Sequence, residues 1–456
     1  MLNRGRNFVA RIAYSLANDA TLRKLTGKGG PALIIKVTTA GVTFAMFVLL
    51  ARWLGPLEYG RYATLFTLAT FLAFLVVGGF HTLALRQLPA LEHSDRPDEA
   101  IALVRDGYIA ILLMAASLAC IALAAGAALS GLAGPAAWVP LAALGLATPL
   151  AIAEYQSNVL RGWGSVLLAL LPRDVLWRLL VLAGIAVPVL RGHSLGAGVA
   201  FAITAAILLA LVGAQFFLGL RRAPSEGFSE AHKHRPAPIT RLAEARWLWA
   251  AALSGALVPQ LGVVVVGGLL SPTDAGVLFA AQRTAALLSL PLVAAEIIGG
   301  PMIAHAWAKS DPKEIQRICK LINLILFVPV SLGAIAMAAL SGQILSIFRP
   351  EFSPYAYVLI ILSLGTLANA LCGPTGFLLL MTGNERQFVL IYSSVQIVGL
   401  GLVAAFAAYS GLIGAAIASA VSIVAWNVIV ALWSRANLGI DPTILVFVFP
   451  VVEKQP

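Results

Sequence analysis

Residues 50 to 62 read Leu50-Ala51-Arg52-Trp53-Leu54-Gly55-Pro56-Leu57-Glu58-Tyr59-Gly60-Arg61-Tyr62. Apolar sequence runs on both sides for long enough to cross a bilayer, which takes about 20 residues as a helix. Between them, Leu-Gly-Pro is turn chemistry. Pro56 fixes the turn and Gly60 restarts the next helix with little steric constraint. Trp53, Tyr59 and Tyr62 are expected in an aromatic belt at the membrane surface. The stretch has a partial copy: Leu270, Pro272, Asp274 and Gly276 stand where Leu54, Pro56, Glu58 and Gly60 stand, each 216 residues later (270 against 54). A turn between two spans that recurs at a fixed offset predicts a chain built twice.

Working outward, apolar stretches of spanning length recur near 32–52, 62–85, 107–130, 136–159, 166–190 and 195–220. They resume near 246–270, 276–304, 319–341, 355–382, 387–409 and 411–434. Hydrophobic residues make up 60% of the 456 residues and charged ones 11%, with mean hydropathy +0.91. Soluble domains carry about 25% charged residues, so this chain uses lipid as part of its solvent. The fold expected is all-α and polytopic, with about twelve transmembrane helices. A second match, Gly196-Ala197-Gly198-Val199-Ala200 with Gly414-Ala415-Ala416-Ile417-Ala418, has the similar offset of 218 (414 against 196). Each half holds an even number of spans, so both halves enter from the same side. Parallel repeats of this kind make two six-helix lobes around a central cavity, the plan of transporters. The expected division is a basic amphipathic segment at 1–31, an N-lobe at 32–220, a polar linker at 221–245, a C-lobe at 246–436 and a tail at 437–456.

The net charge of +11 is carried by loops rather than by a nucleic-acid surface. With the N-terminus placed inside, 24 of the 31 Lys and Arg residues fall on inside segments, and only Arg52, Arg61, Arg191 and Arg349 fall outside. The bias predicts both termini in the cytoplasm. No cofactor, metal site or nucleic-acid partner is expected. Cys120, Cys319 and Cys372 are scattered and form no CxxC pair, so they read as apolar fillers. Thr26-Gly27-Lys28-Gly29-Gly30 lacks the spacing of a phosphate loop and reads as a joint before the first span. No HExxH or Ser/His/Asp set points to an enzyme, and the outside breaks are too short for the large loop of a membrane polymerase or ligase.

The 50–62 stretch resembles the first periplasmic turn of bacterial oligosaccharide flippases. These form the polysaccharide-transport branch of the superfamily that also holds multidrug extruders and peptidoglycan-precursor flippases. Asp274-Ala275-Gly276-Val277-Leu278-Phe279-Ala280-Ala281-Gln282-Arg283 is similar to that family's eighth helix, and Gly411-Leu412-Ile413-Gly414-Ala415-Ala416-Ile417-Ala418 to its last. The resemblance covers the chain from Ala32 to Leu438. It implies a V of two lobes around a hydrated lumen in the bacterial inner membrane. The implied substrate is an oligosaccharide on a polyprenyl diphosphate, delivered for O-antigen, capsule or exopolysaccharide, with membrane lipids and polysaccharide polymerases as partners. The alternative is an ion-coupled multidrug or small-solute antiporter of the same superfamily.

Charges inside spans are costly and face a cavity or a partner. Lys36 lies in the first span, Arg173 and Arg178 in the fifth, and Arg283 in the eighth. A lumen holding them would replace the lost hydration of a diphosphate with charge-assisted hydrogen bonds. These four are the candidate substrate-binding residues. Each has a plainer reading: Asp174 and Arg178, spaced i,i+4, can neutralise each other, and Lys36 and Arg173 can snorkel to the interface. Glu154 and Glu296, in the fourth and eighth spans, are candidates for proton coupling or for a simple hydrogen bond to a neighbouring helix. The neutral residues Gln260, Gln282, Asn323, Asn369, Gln396 and Asn427 suit sugar hydroxyls or helix contacts equally.

Overall fold

A computed structural model of the protein describes residues 20–93, 97–220 and 238–447. Each span read from the sequence falls on a helix. The helical run Ala20–Val77 breaks at Gly55, whose φ of 80° an L side chain rarely adopts. The chain doubles back there, so that Phe47 and Phe66 meet edge to face with ring centroids 5.5 Å apart. The run is therefore two helices, α1 (20–54) and α2 (56–77), and Phe80–His93 continues α2 past Gly78-Gly79. Then come α3 (Pro97–Ala133), α4 (Val139–Gly162), α5 (166–190) and α6 (Ala197–Leu220).

The second half repeats the plan with α7 (238–269), α8 (272–308), α9 (Pro312–Ala339), α10 (356–381, interrupted at Gly373-Pro374), α11 (385–410) and α12 (412–437). The last two are one helical run that doubles back at Gly411, φ 65°, which brings Gly399 against the Ser422 side chain. Two short helices, Ser341–Phe348 and Pro350–Tyr355, join α9 to α10. The protein is thus all-α, with twelve long helices among the described residues, arranged as two six-helix lobes.

The repeated motif holds the lobes together. Gly60 and Gly276, repeat equivalents, pack against each other: a Cβ on Gly276 would lie 3.2 Å from Gly60 Cα, and one on Gly60 would overlap the Pro272 carbonyl. Only hydrogen at these positions lets the two backbones touch. Phe279 of α8 inserts into the N-lobe, 4.7 Å from Phe47 and about 6.2 Å from both Tyr59 and Phe66 between ring centroids. Tyr59 and Tyr62 are fully buried, and the Tyr62 hydroxyl lies 3.1 Å from that of Thr204. This corrects the expectation of an interfacial belt for both tyrosines: their rings form inter-lobe and intra-lobe core. Glu58 accepts the backbone N–H of Ala197, the first residue of α6, at 2.7 Å, where a helix N-terminus favours an anion. Its counterpart Asp274 instead stays within its own helix start, where the Ser271 hydroxyl accepts the Asp274 N–H at 3.1 Å and donates to the Asp274 carboxylate at 2.6 Å.

Two boundary expectations shift. Thr26–Gly30, read as a joint, is helical within α1, and α7 starts at Pro238, inside the stretch read as linker. Proline at a helix start gives up an N–H that has no intrahelical partner there. The tail begins with a docked strap: Gln316 of α9 bonds both the N–H and the C=O of Asp441, at 2.8 and 2.7 Å, and Ile440 is buried. The amphipathic segment expected at 1–31 falls outside the described residues as far as residue 19, and so do the core of the linker, 221–237, and residues 448–456.

Candidate functional site

Helix α5 sets the site. Pro172 has no N–H to give the Leu168 carbonyl, and Gln215 of α6 supplies the missing donor at 3.0 Å. The disturbed turn, Leu171–Leu176, is wound as a π-helix, a form that recurs at functional sites. It directs Arg173, Asp174 and Arg178 into a cavity of about 190 Å³ in the N-lobe. A buried water needs about 10–15 Å³ on this measure, so the chamber holds several. Glu154 of α4 and the aromatic rings of Phe47 and Trp177 share its lining, and Arg283 reaches it from α8 of the other lobe.

The cations fall into two groups. Arg173 is ion-paired with Glu154, and its other nitrogen lies 3.3 Å from Asp174. Lys36 lines no part of the cavity but reaches Asp174 at 3.4 Å from α1, with its own side chain 40% exposed. Two carboxylates thus neutralise Arg173 and Lys36. Arg178 and Arg283 have no carboxylate within ion-pair distance among the described residues. The sequence allowed Asp174 to neutralise Arg178; instead Arg178 donates to the backbone carbonyls of Arg173 and Asp174, which the π-turn leaves available, and lies over the Trp177 ring at 4.7 Å. Arg283 stacks on Phe279 at 4.6 Å and on Phe47 at 5.6 Å, with the Gln260 side-chain oxygen 3.4 Å away. The Nε of each has no hydrogen-bond partner among the described residues.

Magnitudes separate these environments from a finished structural site. Taking a charge out of water costs several kcal/mol, and a desolvated cation–π contact returns about 2 kcal/mol or somewhat more. The remainder falls to water in the chamber, or to an anion that displaces it. Guanidinium stays charged under all ordinary conditions and presents donors in a fork suited to phosphate oxygens.

A second cavity of about 210 Å³ lies in the C-lobe, lined by Gln282, Ser289, Thr366, Gln396 and Ser419, and Arg283 borders this one too. Of the six residues singled out from the sequence, the structure gathers Arg173, Arg178, Arg283 and Glu154 on one cavity and ties Lys36 to its edge. Glu296, on α8 beyond Arg283, lines neither cavity and has no hydrogen bond or ion pair among the described residues. The sequence reading did not single out Trp177, Phe47 and Phe279, the rings under the two arginines. The only signal for Phe279 was its place four residues before Arg283, one helical turn away. No group of three or more metal-ligating side chains comes together among the described residues.

Two lobes of six helices, meeting around internal cavities that mix charged, amide and hydroxyl groups with apolar walls, define a multi-pass membrane protein. Solved structures share the fold. An inward-facing multidrug-resistance MATE transporter of the MOP superfamily matches with TM-score 0.68 at 15% identity, over 88% of this chain and 94% of its own. A mutant of the Vibrio cholerae MATE transporter VcmN matches at 0.63 and 16%, over 93% and 99%. A MOP-superfamily transporter from Pyrococcus furiosus, described by a reversed binding-pocket polarity that suggests a different function, matches at 0.61 and 14%, over 91% and 96%. At such identities the likeness is one of fold. No protein of curated function matches the sequence significantly. The family model for polysaccharide biosynthesis proteins matches residues 28–307, more than half of the chain, and the protein belongs to that family.

Proposed function

We propose that the protein moves a polyprenyl-diphosphate-linked oligosaccharide from the cytoplasmic to the periplasmic leaflet of the bacterial inner membrane, with both termini in the cytoplasm. One observation carries this reading: the chamber is lined by three guanidiniums against two carboxylates, and Arg178 and Arg283 have no carboxylate within ion-pair distance among the described residues. A diphosphate diester bears about two negative charges, and the two guanidiniums match it with charge-assisted hydrogen bonds. The Gly60–Gly276 contact closes the lobes at the turn end of α1 and α2, and Arg283 lies seven residues further along α8 than Gly276, about 10 Å at ~1.5 Å per residue. The binding chamber therefore sits beyond the seal, toward the end that carries the termini. Alternating access then requires the seal to part while the opposite ends approach. The head group drives that exchange only if it binds the two states differently, and Arg283, shared between the lobes, is placed to do so. Lipid-linked units released outside would pass to a polysaccharide polymerase.

Deletion of the gene tests the proposal. Lipid-linked oligosaccharide should build up on the cytoplasmic leaflet while surface polysaccharide disappears. Unchanged polysaccharide with altered drug tolerance would favour the antiporter instead.

A further inference from the structure

We infer that the C-lobe cavity is the saccharide subsite of the transport path, an assignment that rests on the diphosphate reading above. Position is the first argument. Arg283 lines both the N-lobe and the C-lobe cavities, so a ligand whose phosphates rest on Arg283 extends naturally from one into the other.

Chemistry is the second argument. Apart from Arg283, the polar groups of the C-lobe cavity are all neutral: Gln282, Ser289, Thr366, Gln396 and Ser419. A free anion finds no positive charge there beyond the shared arginine. A sugar ring presents neutral hydroxyls around its rim and an apolar C–H face, and this cavity pairs amide and hydroxyl groups with apolar walls from Pro259 and Leu362. Its volume of about 210 Å³ is close to the 190 Å³ of the phosphate chamber, so it has room for a ring of similar bulk to the head group.

Unused hydrogen-bonding capacity is the third. Thr366 and Ser419 donate to the helix carbonyls of Leu362 and Ala415, at 3.0 and 2.8 Å, and keep their oxygens as acceptors. Gln396 donates to the Ser254 carbonyl at 3.3 Å and also shares a side-chain hydrogen bond with Tyr392. Gln282 and Ser289 make no side-chain hydrogen bond among the described residues. Helix contacts thus occupy the donors of Thr366 and Ser419 and one of Gln396, and leave Gln282 and Ser289 to a ligand. Gln282 also directly precedes Arg283, so sugar and phosphate contacts would come from one turn of α8.

The test is competitive lipid retention by the purified full-length protein, read by native mass spectrometry. The two probes are undecaprenyl diphosphate and the lipid-linked oligosaccharide extracted from cells deleted for the gene. The unaltered protein should prefer the glycosylated lipid on the order of tenfold, the worth of one or two net hydrogen bonds. The double variant Gln282→Leu/Ser289→Ala should lose most of that preference and retain undecaprenyl diphosphate as before. Equal retention of both lipids by the unaltered protein overturns the subsite and leaves the diphosphate reading standing. So does an equal loss of both lipids in the double variant. If the unaltered protein retains neither lipid, the diphosphate reading falls and takes the subsite with it.

Discussion

The two cavities come from one repeated plan and meet at one side chain, yet five ionisable groups line the N-lobe cavity and only Arg283 lines the C-lobe cavity. The sequence offset locates the divergence. At the spacing of 218 that relates α6 to α12, Arg178 falls on Gln396 and Asp174 on Tyr392. At the spacing of 216, Arg283 falls on Thr67, which is fully buried and bonds back to its own helix. Duplication kept the glycines that let the lobes touch and let the cavity side chains diverge. The backbone plan answers to packing, which both lobes share. The charges answer to the ligand, whose two ends differ.

Four substitutions break or sharpen this comparison. The largest effect is expected at the seal both lobes share. Gly60→Ala already puts a Cβ where the Pro272 carbonyl lies, so transport should fall sharply, and Gly60→Val, with two more methyl groups, should take it to background. Thiol labelling of a cysteine at Gln260, in protein lacking Cys120, Cys319 and Cys372, should then succeed from the turn side as well. Labelling unchanged from the unaltered protein would remove Gly60 from the seal.

Next comes Arg283→Gln, which takes away the one charge common to both cavities. Transport should drop on the order of 100-fold, the worth of roughly 3 kcal/mol of charge-assisted bonding, with normal folded protein by detergent-solubilised gel filtration. Arg283→Lys should recover only part, because a point charge lacks the guanidinium fork. Arg178→Gln should cost about tenfold. Adding Gln396→Arg, which moves the cation to the equivalent place in the other lobe, should not restore the rate. Restoration would mean that the total charge matters and its lobe does not. The smallest effect is expected at Lys36→Met, since its half-exposed partnership with Asp174 is worth about 1 kcal/mol or less. Transport should fall no more than about fivefold.

Hydropathy and the offset copy made the fold legible, because crossing a bilayer forces apolar helices of a set length and two equal halves leave a register. The site was half legible. A cation in a span announces itself by cost, and so Arg173, Arg178 and Arg283 stood out. Which of them is neutralised did not show, because Arg173 finds Glu154 across α4 and α5 and Lys36 finds Asp174 across α1 and α5. Sequence spacing offered only the i,i+4 pairing of Asp174 with Arg178, whereas Arg178 bonds the Asp174 backbone carbonyl rather than its carboxylate. Tyr59 and Tyr62 misled for a related reason: an aromatic at a helix end suits a lipid interface and an inter-lobe core equally, and only the neighbouring lobe decides.

Arg178 and Arg283, which have no ion-pair partner among the described residues, are proposed to carry the anionic head group, and reconstituted vesicles test this most directly. Flipping of an undecaprenyl-diphosphate-linked saccharide with a fluorescent label, read by quenching the outer leaflet, should be rapid with the unaltered protein. It should be absent with folded Arg178→Gln/Arg283→Gln protein. A double variant that flips the lipid at the unaltered rate would contradict the account.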